Sequence, residues 1–173
     1  MRILILATCI LIVATFQADF YSIEYETITG VPSSTQSLKG KKTIICVMKG
    51  GKVSLSMVHH LDSLQRQAAD TRVLLVPAAD ASEQTTKQEM VKLQKKLQLT
   101  ITAPLRVKQQ NAAAQHPLFS WLTNAQANRH FDTDADEDGK IFVISATGNL
   151  YSVLPGNTPL SVINSAINTP FSE

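Results

Sequence analysis

A thiol is the most reactive group that this sequence offers, and the chain has two of them, at Cys9 and Cys46. Cys9 falls in an apolar run at the amino terminus, so a chain without that run would hold one thiol and no internal disulfide. Cys46 lies inside the apolar segment Thr43–Met48, which is typical of a buried strand. We therefore expect Cys46 to pack as a small hydrophobic side chain. The alternative is an exposed thiol that pairs with another molecule.

Carboxylates are concentrated in a second stretch, where four aspartates alternate with other residues: Asp132, Asp134, Asp136 and Asp138. With Gly139 at the sixth place, the last three match the first half of a calcium-binding loop. The twelfth place, which needs a bidentate glutamate, is Ser145, and the flanking sequence does not predict the required pair of helices. The pattern therefore favours a solvated acidic loop, with a weak calcium site on the four aspartates as the alternative.

The histidines carry weaker signals. His59 and His60 are neighbours on a predicted helix, where successive side chains point about 100° apart, so the two cannot serve one metal ion. His116 precedes a proline at a predicted helix start and is expected to be structural. A hydrolase built from Ser54, His59 and Asp62 is not supported, because the serine lacks the G-x-S-x-G context.

The amino terminus has the features of a secretory signal. Met1 and Arg2 give a short positive end, and Ile3–Phe16 is an apolar run that is too short to span a bilayer comfortably. We expect residues 1–18 to be a signal peptide, although the cleavage point is ambiguous, and residues 19–173 to be secreted as one domain. An uncleaved anchor is the alternative.

Length and charge exclude several classes of function. The 173 residues suit one domain, and their net charge of +2 is too small to favour binding to nucleic acid or to acidic membranes. The sequence contains no N-x-Ser/Thr acceptor, so N-glycosylation is not expected. We expect no cofactor and no contact with membranes once the signal is removed.

Hydrophobic periodicity predicts the elements that position these groups. The predicted strands are Phe20–Ile28, Thr43–Met48, Val73–Val76, Leu99–Val107, Ile141–Ser145 and Leu150–Leu154. Helices are predicted after a glycine turn at residues 50–51, from a cap at Ser82, from Pro117, and from Pro159 with a cap at Thr158. Strands that alternate with helices predict a central, mixed sheet with helices on both faces. This α/β architecture is thioredoxin-like.

Five stretches of the sequence share their order and spacing with one known family. They are FYSIEYETITG (Phe20–Gly30), SLKGKKTIICV (Ser37–Val47), TAPLRV (Thr102–Val107), HPLFSWL (His116–Leu122) and FVISATGNLYSVLPGNTPLSVINSAI (Phe142–Ile167). In these stretches the chain resembles the glutathione peroxidases. The resemblance implies a thioredoxin fold and the reduction of hydroperoxides with glutathione or thioredoxin. It also implies a catalytic cysteine or selenocysteine in the turn after the first core strand.

The residues at the family's catalytic positions are different in this chain. The position of the nucleophile falls on Gly51, or on Lys52 if the turn carries one inserted residue, and neither side chain can attack a peroxide. The family's glutamine is replaced by Asp80, and its tryptophan and asparagine are replaced by Glu137 and Asp138. Three carboxylates that face this turn would raise the pKa of a thiol rather than lower it.

The resemblance therefore predicts a secreted relative of the glutathione peroxidases that keeps the fold and has lost the reaction. Such a pseudoenzyme would be an extracellular binding or structural domain, with Gly51, Asp80, Glu137 and Asp138 as vestigial catalytic positions. The alternative is a peroxidase of the oxidative-stress response that works through Cys46, with glutathione or thioredoxin as the external thiol. A third interpretation is a calcium- or partner-binding module centred on the acidic loop. The sequence names no partner.

Overall fold

The structure is a computed structural model that describes residues 19–49, 55–81, 86–109 and 114–169. The predicted signal peptide, the turn that contains Gly51 and Lys52, and the predicted helix cap Ser82 lie outside the described residues. Within the described ranges, none of the helices has the length and the hydropathy that crossing a bilayer requires.

The strands of the described chain form two sheets. Their bounds are β1 Glu24–Glu26, β2 Pro32–Ser34, β3 Lys42–Met48, β4 Thr71–Pro77, β5 Thr100–Ile101, β6 Ile141–Ile144 and β7 Leu150–Leu154. β1 and β2 pair as a small antiparallel hairpin. The other five strands form one sheet in the order β5-β4-β3-β6-β7. In this sheet β3 and β5 are parallel to β4, whereas β6 is antiparallel to both β3 and β7.

Helices cover both faces of the five-stranded sheet, as the alternation of elements predicts. Their bounds are α1 Leu55–Gln67, α2 Lys87–Gln94, α3 Pro117–Leu122, α4 Ala125–Asn128 and α5 Leu160–Asn168. Side chains of α1, α2 and α5 share one buried cluster, and side chains of α3 and α4 belong to the other. The chain is therefore a three-layer α/β domain with a mixed central sheet.

Strand β3 lies at the centre of this sheet and contributes to both cores. Ile44 and Cys46 point into the cluster with α1 and α5, whereas Ile45 and Val47 point into the cluster with α3. All four side chains are 0% exposed. Because neighbouring residues of a strand face opposite sides, a strand that is covered on both sides must be apolar throughout. This explains the uninterrupted apolar run around Cys46.

The predicted first strand, Phe20–Ile28, is shorter in the structure. It begins with a 3₁₀ turn and only β1 is regular strand. Beyond β1 the chain covers the β5 edge of the large sheet: the Ile28 amide donates to the Ile101 carbonyl (2.9 Å), and the Ala103 amide donates to the Glu26 carbonyl (2.7 Å). The hairpin therefore protects a two-residue edge strand that would otherwise present unpaired backbone groups.

Helix α2 begins later than the sequence pattern predicts. The predicted cap is Ser82, but the helix starts at Lys87 and is capped by Thr86. The Thr86 hydroxyl accepts a hydrogen bond from the Glu89 amide (3.3 Å), and the Glu89 carboxylate accepts one from the Thr86 amide (3.0 Å). This reciprocal capping box satisfies two backbone donors at once and fixes the start of the helix.

Two features of the carboxyl-terminal half also differ from the prediction. Helix α5 starts at Leu160, and Thr158 does not cap it, because the Thr158 hydroxyl donates to the Pro155 carbonyl (2.7 Å). Helix α4 was not predicted. It is four residues long, which is too short to produce a hydrophobic period.

The carboxylate of Asp62 joins α1 to the chain after α2. Asp62 is only 4% exposed. One oxygen accepts from the Gln98 and Leu99 amides (2.5 and 2.9 Å), and the other accepts from the Arg66 guanidinium (2.6 Å). Burial opposes ionisation of this carboxyl, but the Leu99 amide, Arg66 and the Gln98 amide outweigh it and hold the pKa of Asp62 below its usual range.

Candidate functional site

Cys46 lies in the middle of β3, opposite Leu75 of β4 and Ile141 of β6. Its side chain is 0% exposed and belongs to the apolar cluster that contains Leu61 of α1 and Ile163 of α5. Burial, and to a smaller extent the negative charge of Asp138, raises the pKa of the Cys46 thiol to about 12. The thiol is therefore neutral at physiological pH and packs as a small hydrophobic group.

Hydrogen bonds join the carboxyl end of β3 to the acidic loop. The Lys49 amide donates to a carboxylate oxygen of Asp138, and the Lys49 ammonium donates to the Asp136 carbonyl. The Gly139 amide donates to the Val47 carbonyl (2.8 Å). These bonds hold the last residue described before the glycine turn, so Asp138 acts here as a hydrogen-bond acceptor for the main chain.

The other two carboxylates at the positions predicted to be vestigial also bind backbone amides. Asp80, which follows β4, accepts from the amides of Val107 (3.4 Å) and Lys108 (2.9 Å). Glu137 is exposed and accepts from the Gly156 amide (3.3 Å). Asp80, Glu137 and Asp138 therefore hold three different segments of the main chain. Gly51, the fourth position predicted to be vestigial, lies outside the described residues.

Gly156 lies in close contact with the acidic loop. A Cβ atom on this glycine would lie 1.7 Å from the Asp138 carbonyl oxygen. Only a glycine allows the two backbones to approach so closely. The connection between β7 and α5 is thus packed directly against the loop that carries Glu137 and Asp138.

The four aspartates of the predicted calcium loop do not converge on one point. Asp134 accepts from the amides of Gln109 (3.0 Å) and Ala135 (2.8 Å), and Asp132 accepts from the Gln109 side chain (3.3 Å). Asp136 faces Lys140, and Asp138 holds the Lys49 amide. In the part of the chain that the structure describes, no group of three or more histidine, cysteine, aspartate or glutamate side chains is arranged to hold a metal ion.

Lys140 is the residue of this region that the sequence analysis missed. It lies directly before β6, at the end of the acidic loop, and is only 7% exposed. A lysine that separates a run of acids from an apolar strand is the signal that could have identified it. Lysine is almost never buried this deeply unless its charge is compensated.

The histidines occupy structural positions. His60 lies 2.9 Å from the side-chain oxygen of Asn164 and so connects α1 to α5, whereas the neighbouring His59 is exposed. The Nδ1 atom of His116 accepts from the Leu118 amide (3.2 Å) and caps α3. Burial holds the pKa of His116 below its usual range, which favours the neutral ring that this cap requires.

Similarity to solved structures identifies the fold. The structure is similar to the glutathione peroxidase Trgpx in its apo form, with a TM-score of 0.66 and 15% identity over 87% of this chain and 93% of that one. It is also similar to GPX1 of T. cruzi, with a TM-score of 0.63 and 17% identity over 87% of this chain and 94% of that one. The chain has a thioredoxin-like fold.

Other thioredoxin-like proteins are similar at the same level. A thiol:disulfide interchange protein of the thioredoxin family from Chlorobium tepidum has a TM-score of 0.59 and 17% identity, over 84% of this chain and 90% of that one. No family model and no curated protein matches the sequence. The fold class predicted from the sequence is thus confirmed as thioredoxin-like, with redox proteins and peroxidases among its structural neighbours.

Proposed function

We propose that this chain is a secreted, glutathione-peroxidase-like protein that has lost peroxide reduction and serves as an extracellular binding or structural domain. The observation that carries the proposal is the state of Cys46, which is 0% exposed and has a pKa raised to about 12. Membership of the family is part of the proposal. It is supported by the similarity to two glutathione peroxidase structures and by the sequence stretches that resemble the family.

A thiol peroxidase needs a thiolate that reaches the peroxide and breaks the O–O bond. With a pKa of about 12, roughly one Cys46 side chain in 10⁵ would be ionised at pH 7. A sulfur atom without exposed surface also offers no path for a peroxide. Both requirements for the nucleophile are therefore unmet at Cys46.

The groups that would assist a nucleophile have changed as well. An amide or an indole donates hydrogen bonds to a thiolate, whereas an ionised carboxylate only accepts them. At Asp80, Glu137 and Asp138 the chain has carboxylates, and each accepts from a backbone amide. These side chains contribute to the fold where the family's residues would contribute to catalysis.

Peroxidase assays on the purified protein test the loss of the reaction. We expect no turnover of hydrogen peroxide or of a lipid hydroperoxide with glutathione or thioredoxin as the reductant, while an active glutathione peroxidase in the same assay gives the positive control. Turnover that Cys46→Ser abolishes would establish the alternative function, a Cys46 peroxidase with an external thiol. Turnover that survives Cys46→Ser would show that another group reacts, and would equally overturn the proposal.

Thiol labelling tests the observation on which the proposal rests. A thiol reagent should modify Cys46 in the folded protein at least about 10³ times more slowly than in the urea-unfolded chain, because labelling requires the core to open. The matched control moves the thiol to the surface of α5 in the double variant Cys46→Ala/Ser161→Cys, since Ser161 is exposed. The control should react equally fast in the folded and unfolded states. If Cys46 in the folded protein reacted as fast as the thiol of this control, Cys46 would be accessible and the proposal would lose its main support.

Secretion is tested separately. The amino-terminal residues 1–18, with a positive end and an apolar run, support export and cleavage. Expression of the full chain in a secretory cell should release a protein whose first residue is close to Asp19, and deletion of residues 2–18 should keep the protein inside the cell. Recovery of the full chain in the membrane fraction would favour the uncleaved anchor instead.

A further inference from the structure

A pocket of about 250 Å³ lies beside the turn that joins β6 to β7. It is near the amino end of β3, because Ile144, the last residue of β6, pairs with Thr43. The predicted catalytic turn follows the carboxyl end of β3, so this pocket is a separate site. Its lining includes one acid, one arginine, two aromatic residues and two polar residues of the turn: Asp19, Arg129, Phe20, Trp121, Thr147 and Asn149.

The arginine of this pocket has an unusual backbone conformation. Arg129 ends α4 with φ 70 and ψ −3, and within the described ranges it is the only residue other than glycine with a positive φ. Glycine is the usual residue at such a helix end, because a side chain disfavours the left-handed conformation. Non-glycine residues held in this conformation cluster at binding and catalytic sites. The position of Arg129 therefore points to a role for its guanidinium.

The conformation of Arg129 is held by the neighbouring residue, Asn128, which is only 2% exposed. The Asn128 amide nitrogen donates to three backbone carbonyls, those of Trp121, Leu122 and Phe131 (3.1, 3.1 and 2.8 Å). Its side-chain oxygen accepts from the amides of His130 and Phe131 (2.8 and 2.7 Å). These bonds fix the chain on both sides of Arg129. The pocket is therefore formed before any ligand arrives.

The pocket combines two opposite charges with an apolar wall. One carboxylate oxygen of Asp19 accepts from the Tyr21 amide (3.1 Å). A carboxylate has further acceptor positions and a guanidinium has five donors, so Asp19 and Arg129 can each bind a ligand in addition to their contacts within the protein. The rings of Phe20 and Trp121 lie 4.9 Å apart and are buried behind these charges.

We propose that this pocket binds a small zwitterion, a free α-amino acid with an apolar side chain. The ligand's carboxylate pairs with Arg129, its ammonium pairs with Asp19, and its side chain packs on the aromatic wall. A ligand with a single charge meets a like charge on one of these residues, which selects against it. The volume of about 250 Å³ is below the range of drug-sized ligands, which is about 300 to 1,000 Å³.

This inference deepens the proposed function and rests on it, because it gives the extracellular binding domain a class of ligand. The two can fail separately. Binding is measured without peroxide or reductant, so peroxidase turnover would overturn the loss of the reaction and leave the amino-acid site standing. Absence of amino-acid binding would remove the site and leave the loss of peroxide reduction untouched.

Titration of the secreted protein with L-leucine tests the proposal. The fluorescence of Trp121 is the signal, since this residue is the only tryptophan in the chain and lines the pocket. We expect a saturable change with a Kd of about 1 mM or lower. Isocaproate, which is leucine without its ammonium, and isoamylamine, which is leucine without its carboxylate, should each bind at least about tenfold more weakly.

Substitutions in the pocket test the assigned charges. Arg129→Gly removes the guanidinium and suits the positive φ, so it should melt at or above the wild-type temperature and bind L-leucine at least about tenfold more weakly. Asp19→Asn should weaken binding by a similar factor. Lys96→Gly is the matched control, because it removes an exposed positive charge that does not line the pocket, and it should bind L-leucine as the wild type does.

Three results would overturn the proposal. The first is no saturable binding of L-leucine, by fluorescence and by calorimetry, up to about ten times the expected Kd. The second is an Arg129→Gly variant, or a single-charge analogue, that binds as tightly as the wild type binds L-leucine. The third is binding that leaves the ¹⁵N–¹H NMR signals of the Gly148 amide and the Trp121 indole unshifted, because the ligand would then bind elsewhere.

Discussion

Raising the pH above 8 should destabilise the folded chain through Cys46, and the variant Cys46→Ala should lack this part of the pH dependence. The pKa of the buried thiol is raised from 9.0 to about 12. The folded protein therefore keeps the proton that the unfolded chain loses. The stabilising contribution of the neutral thiol is complete below pH 9 and is lost as the pH rises through 9 towards 12.

The size of the effect follows from the two pKa values. Between pH 8 and pH 10 the unfolded thiol ionises and the folded thiol does not, which lowers the free energy of unfolding by about 1.4 kcal/mol. Solvent does not screen this effect, because Cys46 is 0% exposed. The phenol of Tyr151, whose pKa burial raises from 10.0 to about 12, adds its main effect only above pH 10.

Urea unfolding at pH 8 and pH 10 measures the effect, with the fluorescence of Trp121 as the signal, since this single tryptophan is 5% exposed. The wild type should lose about 1.4 kcal/mol more than Cys46→Ala between the two pH values. Val47→Ala is the matched control: it creates a cavity on the opposite face of β3 and should keep the wild-type pH dependence. Equal losses in wild type and Cys46→Ala would mean that the folded thiol ionises, and would reopen the case for a Cys46 peroxidase.

Three further substitutions test other parts of the structure. Gly156→Ala should lower the free energy of unfolding by about 3 kcal/mol, because its Cβ would lie 1.7 Å from the Asp138 carbonyl oxygen. In the control Gly40→Ala the new Cβ meets no atom within 4 Å, so the loss should be only the strain of φ +76, about 1 kcal/mol. Equal losses for the two variants in urea unfolding would contradict the close contact at Gly156. His116→Asn should be as stable as the wild type at pH 8, because asparagine can also cap a helix. On acidification to pH 5 the variant should lose less stability than the wild type, because the lowered pKa of His116 disfavours the protonated ring in the folded state. Equal losses of stability between pH 8 and pH 5 in the two proteins would contradict this. Asp62→Asn should cost about 2 kcal/mol at pH 7, and the difference from wild type should shrink as the pH falls below about 4; a constant difference would contradict a lowered pKa of Asp62.

The central sheet was predictable because its apolar runs are dictated by burial on two faces. The run around Cys46 predicts both the strand β3 and the burial of the thiol, and the structure confirms both. The start of helix α2 was predicted too early because Ser82 and Thr86 are both residue types that cap helices. The spacing of Thr86 and Glu89 is the better signal, since it permits a capping box.

The partners of the carboxylates were not predictable from the sequence. Asp62 binds amides 36 and 37 positions further along the chain, and Asp80 binds amides 27 and 28 positions away. Such pairs depend on how the elements pack, and local periodicity carries no information about them.

The cover that the β1–β2 hairpin places over β5 limits how far the amino terminus can be trimmed. Cleavage close to Asp19 leaves the hairpin intact, because the first covering contact is made by Glu26. Proteolysis beyond that point would expose the backbone of β5 to other chains, and exposed strand edges promote aggregation. The tolerated margin ends sooner, however, because Phe20, Tyr21 and Ile23 are buried in the core. A processing enzyme that cut beyond Asp19 would remove core side chains before it reached the hairpin.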